Sequence, residues 1–168
     1  MSEALLRPAT IADLPSIRDL AATIWHAYYP GIVTREQIDY MLARMYALAT
    51  LRYEMIVQGI RFDRLLLDHA FVGFVAYGPT DLADTWKLHK LYLLPAHHRR
   101  GLGSQMLRHC EARAREGGAC HLKLNVNKRN ARAIAAYERN GYAVVESVSV
   151  DIGDGFLMDD FIMAKSLA

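Results

Sequence analysis

The chain has 168 residues, 52% of them hydrophobic and 23% charged, which is the composition of one folded domain over residues 1–168 and excludes a disordered, collagen-like or low-complexity chain. Lysine and arginine number 20 against 18 acidic residues, a formal net charge of +2, so bulk charge directs the protein neither to nucleic acid nor to an anionic membrane. Cys110 and Cys120 are too few for a disulfide framework, no apolar run nears the ~20 residues of a membrane helix, and Met1-Ser2-Glu3-Ala4 carries no signal pattern, so a cytoplasmic protein is expected.

In chain order, Leu5-Leu6 predicts a short extended segment. Thr10 with Asp13 then opens a helix through Ile11, Leu14, Ile17, Leu20, Ile24 and Tyr28, stopped by Pro30-Gly31. Thr34 with Gln37 has the spacing of a capping box for a second helix through Ile38, Met41, Leu42, Met45 and Leu48, and a third runs over 51–58. At Gly59 the apolar period changes from near four to two. Strands are expected over 60–68 and 70–77 as a hairpin, and a third over 86–94. A helix over 104–116, a strand with Cys120, Leu122, Leu124 and Val126 inward, a helix from Asn130 to Asn140-Gly141, and strands near 142–152 and 156–165 complete the chain. Hairpins together with helical crossovers define an α/β protein with a mixed sheet.

The segment His98-Arg99-Arg100-Gly101-Leu102-Gly103-Ser104 lies between a predicted strand and a predicted helix. Glycines there allow close backbone approach, and successive amides ahead of a helix make an anion cradle suited to a diphosphate. An ordinary glycine turn is the plain alternative. A dinucleotide site of the Rossmann type lacks its third glycine and its acidic ribose partner here. From Arg99 to Arg139 the chain carries ten basic residues against three acidic ones, and this stretch is expected to face phosphates. A nucleic-acid groove is disfavoured because interleaved aromatics are missing.

With Leu91-Tyr92-Leu93-Leu94-Pro95 before the loop and Asn130-Ala131-Arg132-Ala133-Ile134-Ala135-Ala136-Tyr137 running to Gly141-Tyr142 after it, the sequence resembles the Gcn5-related N-acetyltransferase (GNAT) family. The resemblance implies a splayed mixed sheet of about seven strands flanked by helices, with acetyl-coenzyme A as cosubstrate. It implies cofactor contacts from Leu91, Leu93, His98, Arg99, Arg100, Gly101, Leu102, Gly103, Ser104, Asn130 and Tyr137, with His98 standing where Gln or Arg is usual in the family. It further implies direct attack of an amine on the thioester, with Tyr137 protonating the departing thiolate. A plain helix cap for Asn130 and a packed core tyrosine for Tyr137 are the structural alternatives.

An acceptor amine of pKa ~10.4 is about 0.1% neutral near pH 7.4, so a base or a deprotonating pocket is needed. Several branches of the family place a glutamate on the strand before the loop; Trp86-Lys87-Leu88-His89-Lys90-Leu91-Tyr92-Leu93 has no carboxylate, and His89, sharing strand parity with Leu91 and Leu93, is the expected substitute. Cys110 and Cys120 read as core residues, and the pairs His97-His98, His109-Cys110 and Cys120-His121 lack metal-ligand spacing, so no metal is expected. Trp25, His26, Tyr28, Tyr29, Tyr46, Asp159 and Asp160 are candidates for the acceptor entrance, a set that suits a cation, though most of these aromatics could simply be helix packing. The segments around Tyr29-Pro30-Gly31-Ile32 and Asp151-Ile152-Gly153-Asp154-Gly155-Phe156 are similar to a bacterial branch that includes polyamine acetyltransferases. The expected partner is therefore a small amine, with a peptide amine or a non-catalytic acyl-coenzyme A sensor as alternatives; monomer and homodimer both stay open.

Overall fold

In the computed structural model, which describes residues 2–168, the alternating segments form strands β1 (Ala4–Pro8), β2 (Arg61–Leu67), β3 (Ala70–Pro79), β4 (Thr85–Leu93), β5 (His121–Asn127), β6 (Ala143–Gly153) and β7 (Phe156–Ser166). The segments of helical period form α1 (Leu14–Tyr28), α2 (Arg35–Met45), α3 (Leu48–Ile56), α4 (Leu102–Glu116) and α5 (Ala131–Arg139). The strands make one mixed sheet in the order β1-β2-β3-β4-β5-β7-β6, parallel only between β4 and β5 and antiparallel elsewhere.

Each sheet face buries its own apolar core. On one side Leu65, Val75, Leu88, Leu93 and Leu122 pack against Met106, Leu107 and Cys110 of α4, with Ala133, Ile134 and Tyr137 of α5 at the margin. On the other, Phe62, Phe74 and Ala76 meet Leu14, Ile17, Trp25, Ile38 and Leu51 from α1 to α3.

Helix starts follow cap chemistry, with one departure. The Asp13 carboxylate accepts from the Thr10 N–H at 2.8 Å, as the spacing predicts, although the first residues form a 3-10 turn and α1 begins at Leu14. At α2 the Thr34 hydroxyl accepts from the Gln37 N–H at 3.2 Å, but the Gln37 side chain does not return to the cap. It donates to the Leu157 carbonyl at 2.8 Å, because the β6–β7 hairpin brings an open acceptor across from α2. Helix α3 begins at Leu48, ahead of the expected 51. Cys120 also departs from expectation: it precedes β5, bonds through its backbone to Asp84 and Leu167, and leaves its side chain exposed, whereas Cys110 is fully buried.

Two irregularities of β4 position everything that follows. Lys90 pairs with Ala76 and Leu88 with Tyr77, which leaves His89 as the extra residue of a β-bulge. Trp86 and Leu88 face the α4 core before the bulge and Leu91 and Leu93 face it after, while Lys90 turns to the other side, over Tyr46 and Phe62. Simple parity of His89 with Leu91 and Leu93 is thereby broken. In addition, β4 pairs with β5 only over Thr85–Leu88 against His121–Leu124. Beyond Leu88 the two strands diverge, β4 held by β3 alone and β5 by β7 alone, and the sheet is splayed.

Candidate active site

The gap between β4 and β5 opens into a cleft of about 890 Å³, roofed by α1 and α2 and continued along the glycine loop and α5. At the loop end, Arg99 (φ 60°) and Gly101 (φ 76°) both adopt left-handed backbone, a conformation that at position 101 calls for glycine. The first helical bond of α4 runs from the Gln105 N–H to the Gly101 carbonyl at 3.1 Å, and no side chain of the described residues caps the helix. The N–H groups of Leu102, Gly103 and Ser104 therefore have no partner in the helix and lie at its positive end. A Cβ built on Gly101 or on Gly103 would meet no atom within 4 Å, so the ground above the loop is open backbone surface. Uncapped amides beside open space fit a diphosphate, the anionic part of coenzyme A.

The residues expected to contact the cofactor separate into two groups. Leu91, Leu93, His98, Arg99, Gly101, Gly103, Ser104, Asn130 and Tyr137 line the cleft. Leu102 is instead buried in the core under α4, and the Arg100 guanidinium turns away to His97 Nδ1 at 3.1 Å. The His98 ring is spent on structure: Nε2–H donates to the Leu93 carbonyl at 2.9 Å, and the ring edge packs on Tyr28. Asn130 is both a cap and a brace, its Oδ1 accepting from the Ala133 N–H at 3.3 Å and from the Tyr28 hydroxyl at 2.6 Å across the cleft. Asn140, which the sequence reading did not single out, donates from Nδ2 to the Ser104 hydroxyl at 3.1 Å and ties the end of α5 to the start of α4. Of the ten basic residues from 99 to 139, only Arg99, Arg132 and Arg139 line the cleft. Others pair locally, Arg113 with Glu116, Lys128 with Asp159 and Arg115 with the Leu167 carbonyl, so the local excess charge is mostly surface.

Tyr137 faces the cleft from α5, and its hydroxyl makes no hydrogen bond among the described residues. Burial, reinforced by the neighbouring Tyr29 and Tyr28, pushes its pKa far above neutral, so it holds its proton and can donate it. His89 lines the same cleft, but burial and the charges of Lys87, Lys90 and Lys123 push its pKa down to about 4. It is a neutral imidazole at physiological pH and a weak proton acceptor, unlike the near-neutral base expected from the sequence.

At the acceptor end, Trp25, Tyr28, Tyr29 and Asp160 line the cleft, joined by Met41, Met45 and Met158. His26 lies outside against Asp39, Asp159 is on the surface with Lys128, and Tyr46 is buried behind the wall, its ring edge on Trp25. Two carboxylates reach this end of the cleft. Glu54 is bonded to the buried Lys90 ammonium at 2.8 and 3.0 Å. Asp160, 4% exposed, lies beside the Asn125 side chain, and burial raises its pKa.

A mixed sheet parted beside an uncapped helix start is the architecture of an acyltransferase that draws a thioester between its strands. The acetyltransferase (GNAT) family model matches residues 17–142, and the chain belongs to that family. It is an N-acetyltransferase, and its cosubstrate is acetyl-coenzyme A. The chain is 27% identical over 164 residues to a spermidine N(1)-acetyltransferase of Thermoplasma acidophilum, covering 95% of each. It is 37% identical over 76 residues, 45% of this chain and 40% of the relative, to a streptothricin acetyltransferase of Streptomyces lavendulae. Among solved structures it is similar to the PaiA N-acetyltransferase of Thermoplasma acidophilum in complex with coenzyme A, with a TM-score of 0.82, 26% identity and 98% and 99% of the two chains covered. Among the described residues no helix is long and apolar enough to cross a membrane.

Proposed function

We propose that this chain acetylates a small primary amine, polyamines being the class favoured by the name of the Thermoplasma acidophilum relative. The observation that carries the reading is the continuity of the cleft: one cavity runs from the uncapped amides of α4 to a half-apolar chamber ending at Asp160. Acetyl-coenzyme A supplies an activated thioester carbonyl when bound. The amides of Leu102, Gly103 and Ser104 hold the diphosphate, with Arg99, Arg132 and Arg139 adding positive charge nearby. Asn130 and Tyr28 fix the wall between the cofactor and acceptor ends. Tyr137, protonated at neutral pH, gives its proton to the departing sulfur; the burial that makes the phenol a weaker acid also makes a thiolate in the same desolvated cleft a stronger base. His89, uncharged, adds no further positive charge beside the incoming amine and offers it a hydrogen bond.

The test is release of free thiol from acetyl-coenzyme A over a panel of spermidine, putrescine, 2-phenylethylamine and a peptide with a free N-terminus. Turnover on a small amine is expected. Turnover on the peptide alone would make it a protein acetyltransferase, and tight coenzyme A binding without turnover on any amine would make it a sensor.

A further inference from the structure

Among the residues that line the cleft, only Glu54 and Asp160 carry carboxylates. Glu54 is neutralised, accepting two hydrogen bonds from an ammonium group whose side chain is 4% exposed. Asp160 is not. No lysine, arginine or histidine nitrogen of the described residues lies within 4.0 Å of it; Lys87, which lines the same cleft, acts on it only from beyond that distance, and Lys128 is taken by Asp159 at 2.6 Å. The position follows from the strand pattern. On β7, Phe161 and Met163 face the α4 side, so Asp160 and Met158 face the chamber under α1 and α2. Register places Asp160 opposite Asn127, at the very end of β5 where that strand has parted from β4. The aromatic rings of Trp25, Tyr29 and Tyr92 line the same chamber.

A buried carboxylate without a cationic partner is costly unless something pairs with it. Here the Asn125 amide lies beside it, and its open side faces the cavity that receives the acceptor. We infer that Asp160 is the anchor for the ammonium group of the acceptor amine, and that the buried part of the cleft takes one such group, the aromatic and methionine side chains holding the carbon chain beside it. This deepens the small-amine reading and rests on it. Because Glu54 is occupied by Lys90, additional ammonium groups of a longer acceptor lie toward the mouth. The anchor also provides a way out for the proton: it passes from nitrogen to a carboxylate oxygen, the N–H bonding pair stays on nitrogen as the lone pair that attacks, and the carboxyl returns the proton to water.

The test separates binding from turnover. N,N-dimethylhexylamine is a cation near pH 7 and cannot be acetylated to a stable amide; its binding to the coenzyme A-loaded protein is measured by calorimetry for wild type, Asp160→Asn and Asp160→Glu. The expected result is binding to wild type, at least about a tenfold loss in Asp160→Asn, a smaller loss in Asp160→Glu, and unchanged affinity of both variants for coenzyme A. Equal binding by wild type and Asp160→Asn overturns the inference, as does no binding to wild type. Should Asp160→Asn fail to fold, wild type alone decides: 1-hexanol must compete at least tenfold more weakly than the alkylammonium, and equal competition overturns the assignment. Failure of the small-amine reading is a distinct outcome, seen as absent thiol release from wild type whatever the calorimetry gives.

Discussion

Replacement of Glu54 by alanine tests the electrostatics of the cleft wall most directly. The Lys90 ammonium is buried to 4% exposure, with Tyr46 and Phe62 rings each 5.6 Å away and both Glu54 oxygens as acceptors. Removing one partner of a buried pair costs about 3–5 kcal/mol because the other charge is left desolvated. The 16% exposure of the Glu54 side chain lets water reach the gap, so we expect the lower end, about 3 kcal/mol. At roughly 2–4 °C per kcal/mol for a chain of this size, Tm should fall by about 6–12 °C. The assay is equilibrium unfolding in urea, where the midpoint should drop with an unchanged slope. The double variant Glu54→Leu with Lys90→Met removes both charges and should recover most of the loss. A cost under about 1 kcal/mol for Glu54→Ala, or a double variant no better than the single, would refute the account of Lys90 as a buried, glutamate-compensated charge, and with it the argument that Glu54 is unavailable to substrate.

Three further outcomes bear on the site. Gly103→Trp sends a large side chain into the open ground above the loop and should abolish coenzyme A binding by calorimetry while the protein stays folded by circular dichroism; retained affinity removes the loop from the cofactor site. Tyr137→Phe should lower kcat by about 10²-fold or more, the ordinary worth of a general acid, with coenzyme A affinity nearly intact, and undiminished turnover excludes the phenol as proton donor. Because His89 is held at about 4 and is neutral from pH 5.5 upward, kcat/KM between pH 6 and 8 should show no inflection near the ordinary histidine value of ~6.5 that His89→Gln removes; such an inflection would show a charged imidazole in the free enzyme.

Much of the fold was legible because its signals are local. The switch of apolar period at Gly59, the run Leu122, Leu124, Val126 and the cap at Asn130 each fix an element within a few residues. The glycine loop was legible too, since left-handed backbone at position 101 leaves a residue type behind. What stayed hidden depends on pairing across the chain. The bulge at His89 leaves only a slip in the alternation, from Trp86 and Leu88 to Leu91 and Leu93 across two polar residues, and which residue stays unpaired is fixed by the register of β4 against β3. His89 therefore looked like a poised base, when burial beside three lysines makes it a weak one. Asn140 was missed because a residue at a helix end reads as a stop signal, and its bond to Ser104 joins positions 36 apart. The lack of an ion pair at Asp160 was equally out of reach, as it depends on Lys128 pairing with the adjacent Asp159 and on Lys87 standing beyond ion-pair distance.

Because one inserted residue splits β4 into halves of opposite phase, the strand serves two masters: its leucines knit one layer before and after the splice, while lysine and tyrosine from the second half are handed to the opposite layer. Excising His89 would therefore do more than delete an imidazole. It would set Leu88 and Lys90 side by side opposite Tyr77 and Ala76, an ordinary alternation that keeps Leu91 and Leu93 toward α4 and Lys90 toward the aromatic layer while erasing the local kink, so at this position the extra length of backbone shapes the cleft wall as much as the chemistry of the side chain.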